Sequence, residues 1–286
     1  MRNSGKIPAV LTIAGSDSGG GAGIQADLRT FNAFKVYGCS AITAVTSQNP
    51  DEVRRVDVLP AEAVQCQIAA VLDKFPVRFA KTGMLANREI IESVAETVRE
   101  RNLEITVDPV MVSTSGVRLL EESAISAMKD FLFPLAKWIT PNIPEAELLC
   151  CRKISSFKDL SDAALALFEH YGCNVILKSG HLVSSDQAAD MICHEGRLYE
   201  LSSARIQVSG NCAHGSGCTL SAALTANFAL GRSWDNALIE TKTFIYGSIS
   251  EKKSLSVGLS QMYPPEKSYF EKISLTPYNN KTGGLL

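Results

Sequence analysis

Apolar and polar positions along this chain switch repeatedly between short runs of β-formers and stretches with helical spacing. Ala9 to Ile13 is a β-like run ahead of a glycine loop, and Ile24 to Phe34 then reads as a helix. Cys39 to Thr46 is a second β-like run. Val64, Ile68, Val71, Leu72 and Phe75 fall at helical spacing behind Pro60, whose ring suits a helix start. Val77 to Lys81 predicts another strand, and Ile90, Ile91, Val94, Ala95 and Val98 predict an amphipathic helix. Glu104 to Asp108 predicts the strand after it, closed by Pro109. The alternation continues through Lys137 to Thr140 and Asn174 to Lys178. Ala188 to Cys193 and Arg197 to Leu201, separated by His194, Glu195 and Gly196, predict an antiparallel hairpin at one edge.

Short strands alternating with helices require crossover connections, so an α/β fold with a mainly parallel central sheet and helices on both faces is expected. Such sheets bind ligands beyond the carboxyl ends of their strands. The loops that matter are then Gly15 to Gly23, Thr46 to Pro50, Lys81 to Leu85, Asp108 to Gly116, Thr140 to Glu145 and Lys178 to His181. A length of 286 residues fits one such sheet, so residues 1–286 are expected to form a single domain.

Composition narrows the class of ligand. Hydrophobic residues make up 45% and charged residues 20%, which supports a sizeable core. The net charge is -2 with basic residues scattered, so no footprint for nucleic acid or an anionic membrane is present, and a small-molecule partner fits better. Neither a signal-peptide run near Met1 to Val10 nor a membrane-length apolar stretch is found, which predicts a cytoplasmic protein. Eight dispersed cysteines with no C-x-x-C pair read as reduced, packed thiols.

Gly15 to Gly23 holds five glycines in nine positions between a strand and a helix, where backbone can approach a ligand closely. It matches neither a Walker loop nor the dinucleotide fingerprint, and a plain tight turn remains an equal reading. His214-Gly215-Ser216-Gly217-Cys218-Thr219 precedes a second helix whose free N–H groups and dipole would make an anion site. The same dipole would favour a Cys218 thiolate, as base or nucleophile. Equally, the glycines and small cysteine suit close helix packing. Asn142 and Glu145 could hold hydrated Mg²⁺ and phosphate oxygens, or form a polar helix start. Lys178 at a strand end could reach a phosphate or be an ordinary solvated lysine. Asp108 could orient a ligand or cap the next element. His170, His181, His194 and His214 have no metal-ligand spacing.

Taken together, Ala14-Gly15-Ser16-Asp17 and Gly20-Gly21-Ala22-Gly23-Ile24-Gln25-Ala26-Asp27-Leu28 resemble the opening of hydroxymethylpyrimidine/phosphomethylpyrimidine kinases. Gln48-Asn49, Lys81-Thr82-Gly83-Met84-Leu85, Asp108-Pro109-Val110-Met111, Thr140 to Glu147 and His214 to Ala223 echo the same pattern in family order, over roughly Pro8 to Leu255. The resemblance implies a ribokinase-like three-layer fold, a homodimer, and Mg²⁺ with ATP as cofactors. It also implies phosphorylation of 4-amino-5-hydroxymethyl-2-methylpyrimidine and then of its monophosphate, for thiamine synthesis. By matching position, Gln48 would bind the aminopyrimidine edge, with Gly15, Asp27 and Met84 lining its pocket. Gly215, Ser216, Gly217 and Cys218 would form the anion hole, with Cys218 where many ribokinase relatives have an aspartate base. Lys178, Asn142 and Glu145 would fall in the phosphate and magnesium region. Departures are Cys212-Ala213 for the usual Asn-Thr, Ser179 for a glycine and Ser18 for a common proline. The segment from Gln261 matches nothing in the family and is expected either to be disordered or to pack on a dimer partner. Pyridoxal or pyridoxine kinase is the nearest rival function, and a non-catalytic ligand sensor is the rival from another class.

Overall fold

A computed structural model describes residues 5–111, 120–180, 182, 186–207, 214–257 and 259–278. Strands β1 (Ala9–Asp17), β2 (Tyr37–Gln48), β4 (Val77–Thr82), β5 (Glu104–Val107), β6 (Ala136–Ile139) and β7 (Asn174–Leu177) form the parallel part of a ten-stranded sheet. Strand β3 (Val53–Val58) runs antiparallel along β2. The hairpin β8 (Gln187–His194) and β9 (Arg197–Ala204) extends the other side antiparallel, followed by β12 (Ile273–Pro277), giving the order β12-β9-β8-β7-β6-β5-β4-β1-β2-β3.

The strand sequences explain the layering. Successive strand residues point to opposite faces, so Val10 joins Phe31 of α1 (Gly23–Ala33) while Leu11 and Ile13 join the core under α2 (Ala61–Leu72) and α3 (Arg88–Arg101). Ile176 likewise packs with Leu220 and Leu224 of α7 (Ser216–Ala229) and Leu238 of α8 (Trp234–Ser250), while Val175 and Leu177 face the α6 (Phe157–Tyr171) side. Helix α3 starts where the Asn87 side chain accepts the Ile90 N–H, and α6 starts with a Ser156/Asp159 capping box and stops at left-handed Gly172. Two shorter helices, α4 (Glu122–Ala127) and α5 (Ile143–Cys150), complete the α-helices of the described residues, and β10 (Lys253–Ser256) pairs with β11 (Leu259–Gln261). Every parallel strand points its carboxyl end toward one rim, and α7 packs beneath that rim against β1, β4 and β5.

Two expectations need correcting. The β8–β9 hairpin forms, closed by Glu195 and Gly196 at φ 49 and 76, the left-handed pair that a tight primed turn requires. It is not the sheet's edge, because β12 pairs along β9 with Leu275 opposite Leu201. The segment from Gln261, as far as Tyr278, is not disordered but seated on its own chain. Pro265 and Tyr269 pack against Gly247 of α8, and Glu251 accepts the backbone N–H of Glu266 and Lys267 and the Tyr269 hydroxyl. These seats come from strand pairing and contacts far apart in sequence, to which local periodicity is blind. The loop beyond Met111, His181, the Cys212-Ala213 departure and the chain after Tyr278 lie outside the described residues. Among the described residues, no helix is long and apolar enough to cross a membrane.

Candidate active site

The two glycine clusters meet at the carboxyl rim. Gly215, the N-cap of α7, has φ 79 and presses against the Gly21 carbonyl, so a Cβ there would overlap that oxygen. Gly23 has φ 57 and lies where a Cβ would stand 2.5 Å from the Gly15 carbonyl oxygen. Only glycine satisfies both the left-handed backbone and the lack of room. The first cluster is further tied by Asp17, whose carboxylate accepts the Gly19 and Ala22 N–H groups at 2.8 Å each. Burial opposes the Asp17 charge, but His214 and these N–H groups hold its carboxyl below the usual range.

Cys218 occupies the first turn of α7, which no side chain caps. The amides of Ser216, Gly217 and Cys218 are therefore the uncapped donors of a helix start. Beside them, a Cβ on Gly217 would lie 3.0 Å from the Lys178 ammonium and 3.7 Å from Asp108 Oδ2. Lys178 pairs with Asp108 at 3.2 Å, and Thr140 donates to the same carboxylate at 3.1 Å. Burial works against the Lys178 charge, yet Asp108 and Glu145 raise its pKa and keep it cationic. The thiol departs from expectation. Burial, with Asp108 and Asp27 adding to it against Lys81, pushes Cys218 up to about 11, so the free site holds a thiol and the dipole does not make a thiolate.

Asn142 and Glu145 turn out to be the helix start: they form a capping box at α5, with Asn142 Oδ1 accepting the Glu145 N–H and Glu145 Oε2 accepting the Asn142 N–H, both at 2.9 Å. Glu145 is also deep in the site. Burial, opposed by Lys178 and reinforced by Asp108, raises its carboxyl to about 7. No group of three or more His, Cys, Asp or Glu suited to a metal is found among the described residues.

Across the rim, Gly15 lies under Met84, with a Cβ there 2.5 Å from Met84 Cε, so the expected pocket-lining pair is adjacent. Gln48 joins them. Ser18, standing where proline is common, exchanges two 2.8 Å hydrogen bonds with the Gln48 backbone. Asp27 does not line an open pocket. It is wholly buried, with Lys81 at 2.9 and 3.0 Å and the Thr12 hydroxyl at 2.6 Å on its carboxylate. Burial disfavours the Lys81 charge, but the carboxylates of Asp27 and Asp108 hold its ammonium above the usual lysine range. This pair lies below Gly83, where a Cβ would stand 3.0 Å from Lys81 Nζ.

A family model described as phosphomethylpyrimidine kinase matches residues 17–264. The chain belongs to the phosphomethylpyrimidine kinase family. Among its relatives, a hydroxymethylpyrimidine/phosphomethylpyrimidine kinase of Haemophilus influenzae is 43% identical over 256 residues, 88% of this chain and 94% of the relative. Of solved structures, pyridoxal kinase from Staphylococcus aureus in complex with AMP-PCP matches with TM-score 0.85 and 33% identity, over 96% of this chain and all of that one. Phosphomethylpyrimidine kinase from Clostridium difficile 630 matches with TM-score 0.74 and 40% identity, over 85% of this chain and all of that one. The fold is ribokinase-like, a mainly parallel sheet between helical layers.

Set in this phosphomethylpyrimidine kinase fold, Lys81, Asp17 and His214 were not singled out as site residues by motif reading. Lys81 carried a signal, since Lys81-Thr82-Gly83-Met84 belongs to the family pattern; His214 carried only its place before Gly215. Ser179, the departure from glycine, is buried and donates its N–H to Asp190 at 3.1 Å.

Proposed function

We propose that this protein transfers the γ-phosphoryl group of ATP to the hydroxymethyl oxygen of 4-amino-5-hydroxymethyl-2-methylpyrimidine. A second transfer, to a phosphate oxygen of the monophosphate, gives the diphosphate used for thiamine. In each step a new O–P bond forms as the bond to the ADP oxygen breaks. The observation that carries the reading is the convergence, at one rim, of the uncapped α7 start, Lys178 and Cys218 with the glycine loop, under which Met84 meets Gly15 and to which Gln48 is tied through Ser18.

In this reading Gln48 pairs with the aminopyrimidine edge, and Gly15 and Met84 bound the ring. The amides of Gly215 to Cys218 and the Lys178 ammonium stabilise charge on the transferring group, which is most of what phosphoryl transfer asks of a protein. Cys218, a thiol in the free site, relays the alcohol proton, passing its own proton to a phosphoryl oxygen as it takes the alcohol's. Mg²⁺ fits the carboxylate-rich side, because Glu145 and Asp108 burden one another and a cation would relieve them. Both Glu145 oxygens already accept backbone N–H groups, so Asn142 and Glu145 would hold the ion through water rather than directly.

Residues 1–286 act as one kinase domain, in the cytoplasm, as a homodimer. Exposed valines at the β2–β3 edge support the dimer: Val56 and Val58 on one face of the sheet, and Val45, opposite Asp57, on the other, are each 41 to 45% exposed. A second reading, phosphorylation of pyridoxal, is favoured by the 0.85 TM-score to a pyridoxal kinase. ADP release measured with the pyrimidine alcohol, its monophosphate and pyridoxal decides among these readings. Turnover of the first two is expected. Turnover of pyridoxal alone would replace the reading, and saturable binding without turnover would make the protein a sensor.

A further inference from the structure

His214 lies between the two glycine clusters and outside every role assigned so far. Its Nε2 is 3.4 Å from Gln48 Nε2 and 3.6 Å from Asp17 Oδ2, and its ring edge covers Gly21, where a Cβ would lie 2.8 Å from Cδ2. One ring nitrogen thus faces a carboxylate, which asks it to carry a proton, and a side-chain amide, which can offer either an NH₂ or an oxygen. When Nε2 carries the proton it serves Asp17, and Gln48 must turn its oxygen toward the ring. When Nε2 is bare it accepts from the Gln48 amide. In either state the imidazole decides which end of the Gln48 amide faces the pocket. The other tie on that amide is weak: Gln48 Oε1 sits 3.3 Å from the Thr46 hydroxyl, which has a better acceptor in the Ser16 carbonyl at 2.9 Å.

We propose that His214 is a positioning and specificity-determining residue: it sets the orientation of the Gln48 amide, and so the donor and acceptor order presented to the heterocycle. The proposal rests on the reading in which Gln48 pairs with the pyrimidine. A 4-aminopyrimidine edge presents a donor NH₂ beside an acceptor ring nitrogen, and an amide pairs with both only in one of its two orientations. The Asp17 carboxylate, fixed by two backbone N–H groups, is the anchor that keeps the imidazole in place.

Steady-state kinetics of the full chain tests this with His214→Asn, His214→Gln, Gln48→Ala and the double variant His214→Asn/Gln48→Ala. Asn still covers Gly21 but ends short of the Nε2 position, whereas Gln reaches it. His214→Asn is expected to raise KM for the pyrimidine alcohol about three- to tenfold, the usual worth of one hydrogen bond, with KM for ATP and kcat within about twofold. His214→Gln is expected to recover most of the loss, and the double variant to be no worse than Gln48→Ala alone. Losses that add in full, an equal rise in KM for ATP, or no change in His214→Asn would each overturn the proposal. If Gln48→Ala leaves the pyrimidine KM unchanged, the base-reading role of Gln48 falls as well. If Gln48→Ala raises it while His214→Asn does nothing, only the role of His214 falls.

Discussion

Cys218 shows how a local rule is overridden by its surroundings. Position alone, in the first turn of a helix, favours a thiolate. Burial and two neighbouring carboxylates outweigh that, and the thiol sits near 11. Iodoacetamide labelling of Cys218, followed by peptide mapping, is therefore expected to rise about tenfold per pH unit from 7 to 10. A rate already level by pH 8 would show that the dipole wins. Glu145 shifts the same way, to about 7 from an ordinary 4.5, because its charge is costly in the fold. Between those two values the folded chain keeps a proton that the unfolded chain has lost, so this group's contribution to stability falls as pH rises through the window. Glu145→Gln keeps a capping side chain and removes the titration. Urea unfolding at pH 5, 6, 7 and 8 is expected to show the variant gaining on the wild type as pH rises; a constant difference would contradict the shift.

At the scale of elements, the loop that carries Lys178 is held from behind. Asp190 of β8 accepts the Ser179 N–H and pairs with Lys242 of α8 at 2.6 Å, both side chains nearly buried. Lys242→Met strands a buried carboxylate and is expected to cost roughly 3–5 kcal/mol in urea unfolding, whereas Lys242→Met with Asp190→Leu is expected to recover most of it. KM for ATP should rise in both, since each loosens or removes the anchor on Ser179. Helices α1 and α3 were legible because their apolar positions keep the helical period and are buried on schedule, and strand β1 because it is a continuous run buried on both faces. Strand β3 was not, because all its residues are exposed and Val53 falls out of the two-residue spacing that Val56 and Val58 keep over only three positions.

Across the whole molecule, the last described strand closes the sheet. Half-buried Ile273 and Leu275 of β12 pack on the cluster of Trp138, Ile192 and Leu201. Gln261 Oε1 reaches within 3.1 Å of a Cβ built at Gly21, so the same segment touches the glycine loop. Ending the chain after Lys267 is expected to lose about 2–4 kcal/mol of apolar burial and to bare the β9 edge. A lower melting temperature together with concentration-dependent light scattering would report both effects; an unchanged melt would show that β12 adds nothing.

The sequence by itself determined the alternation of strand and helix, the rim on which loops collect, and the glycine clusters, because period and backbone freedom are properties of neighbouring residues. It also carried the family, through motifs in order. Only the tertiary structure decided that Asp27 is spent on Lys81 beneath the site, that the Cys218 proton stays on, that Asn142 and Glu145 cap one another, and that His214 stands between Asp17 and Gln48. These depend on burial and on charges brought together from separate strands, and both arise only when the sheet has closed.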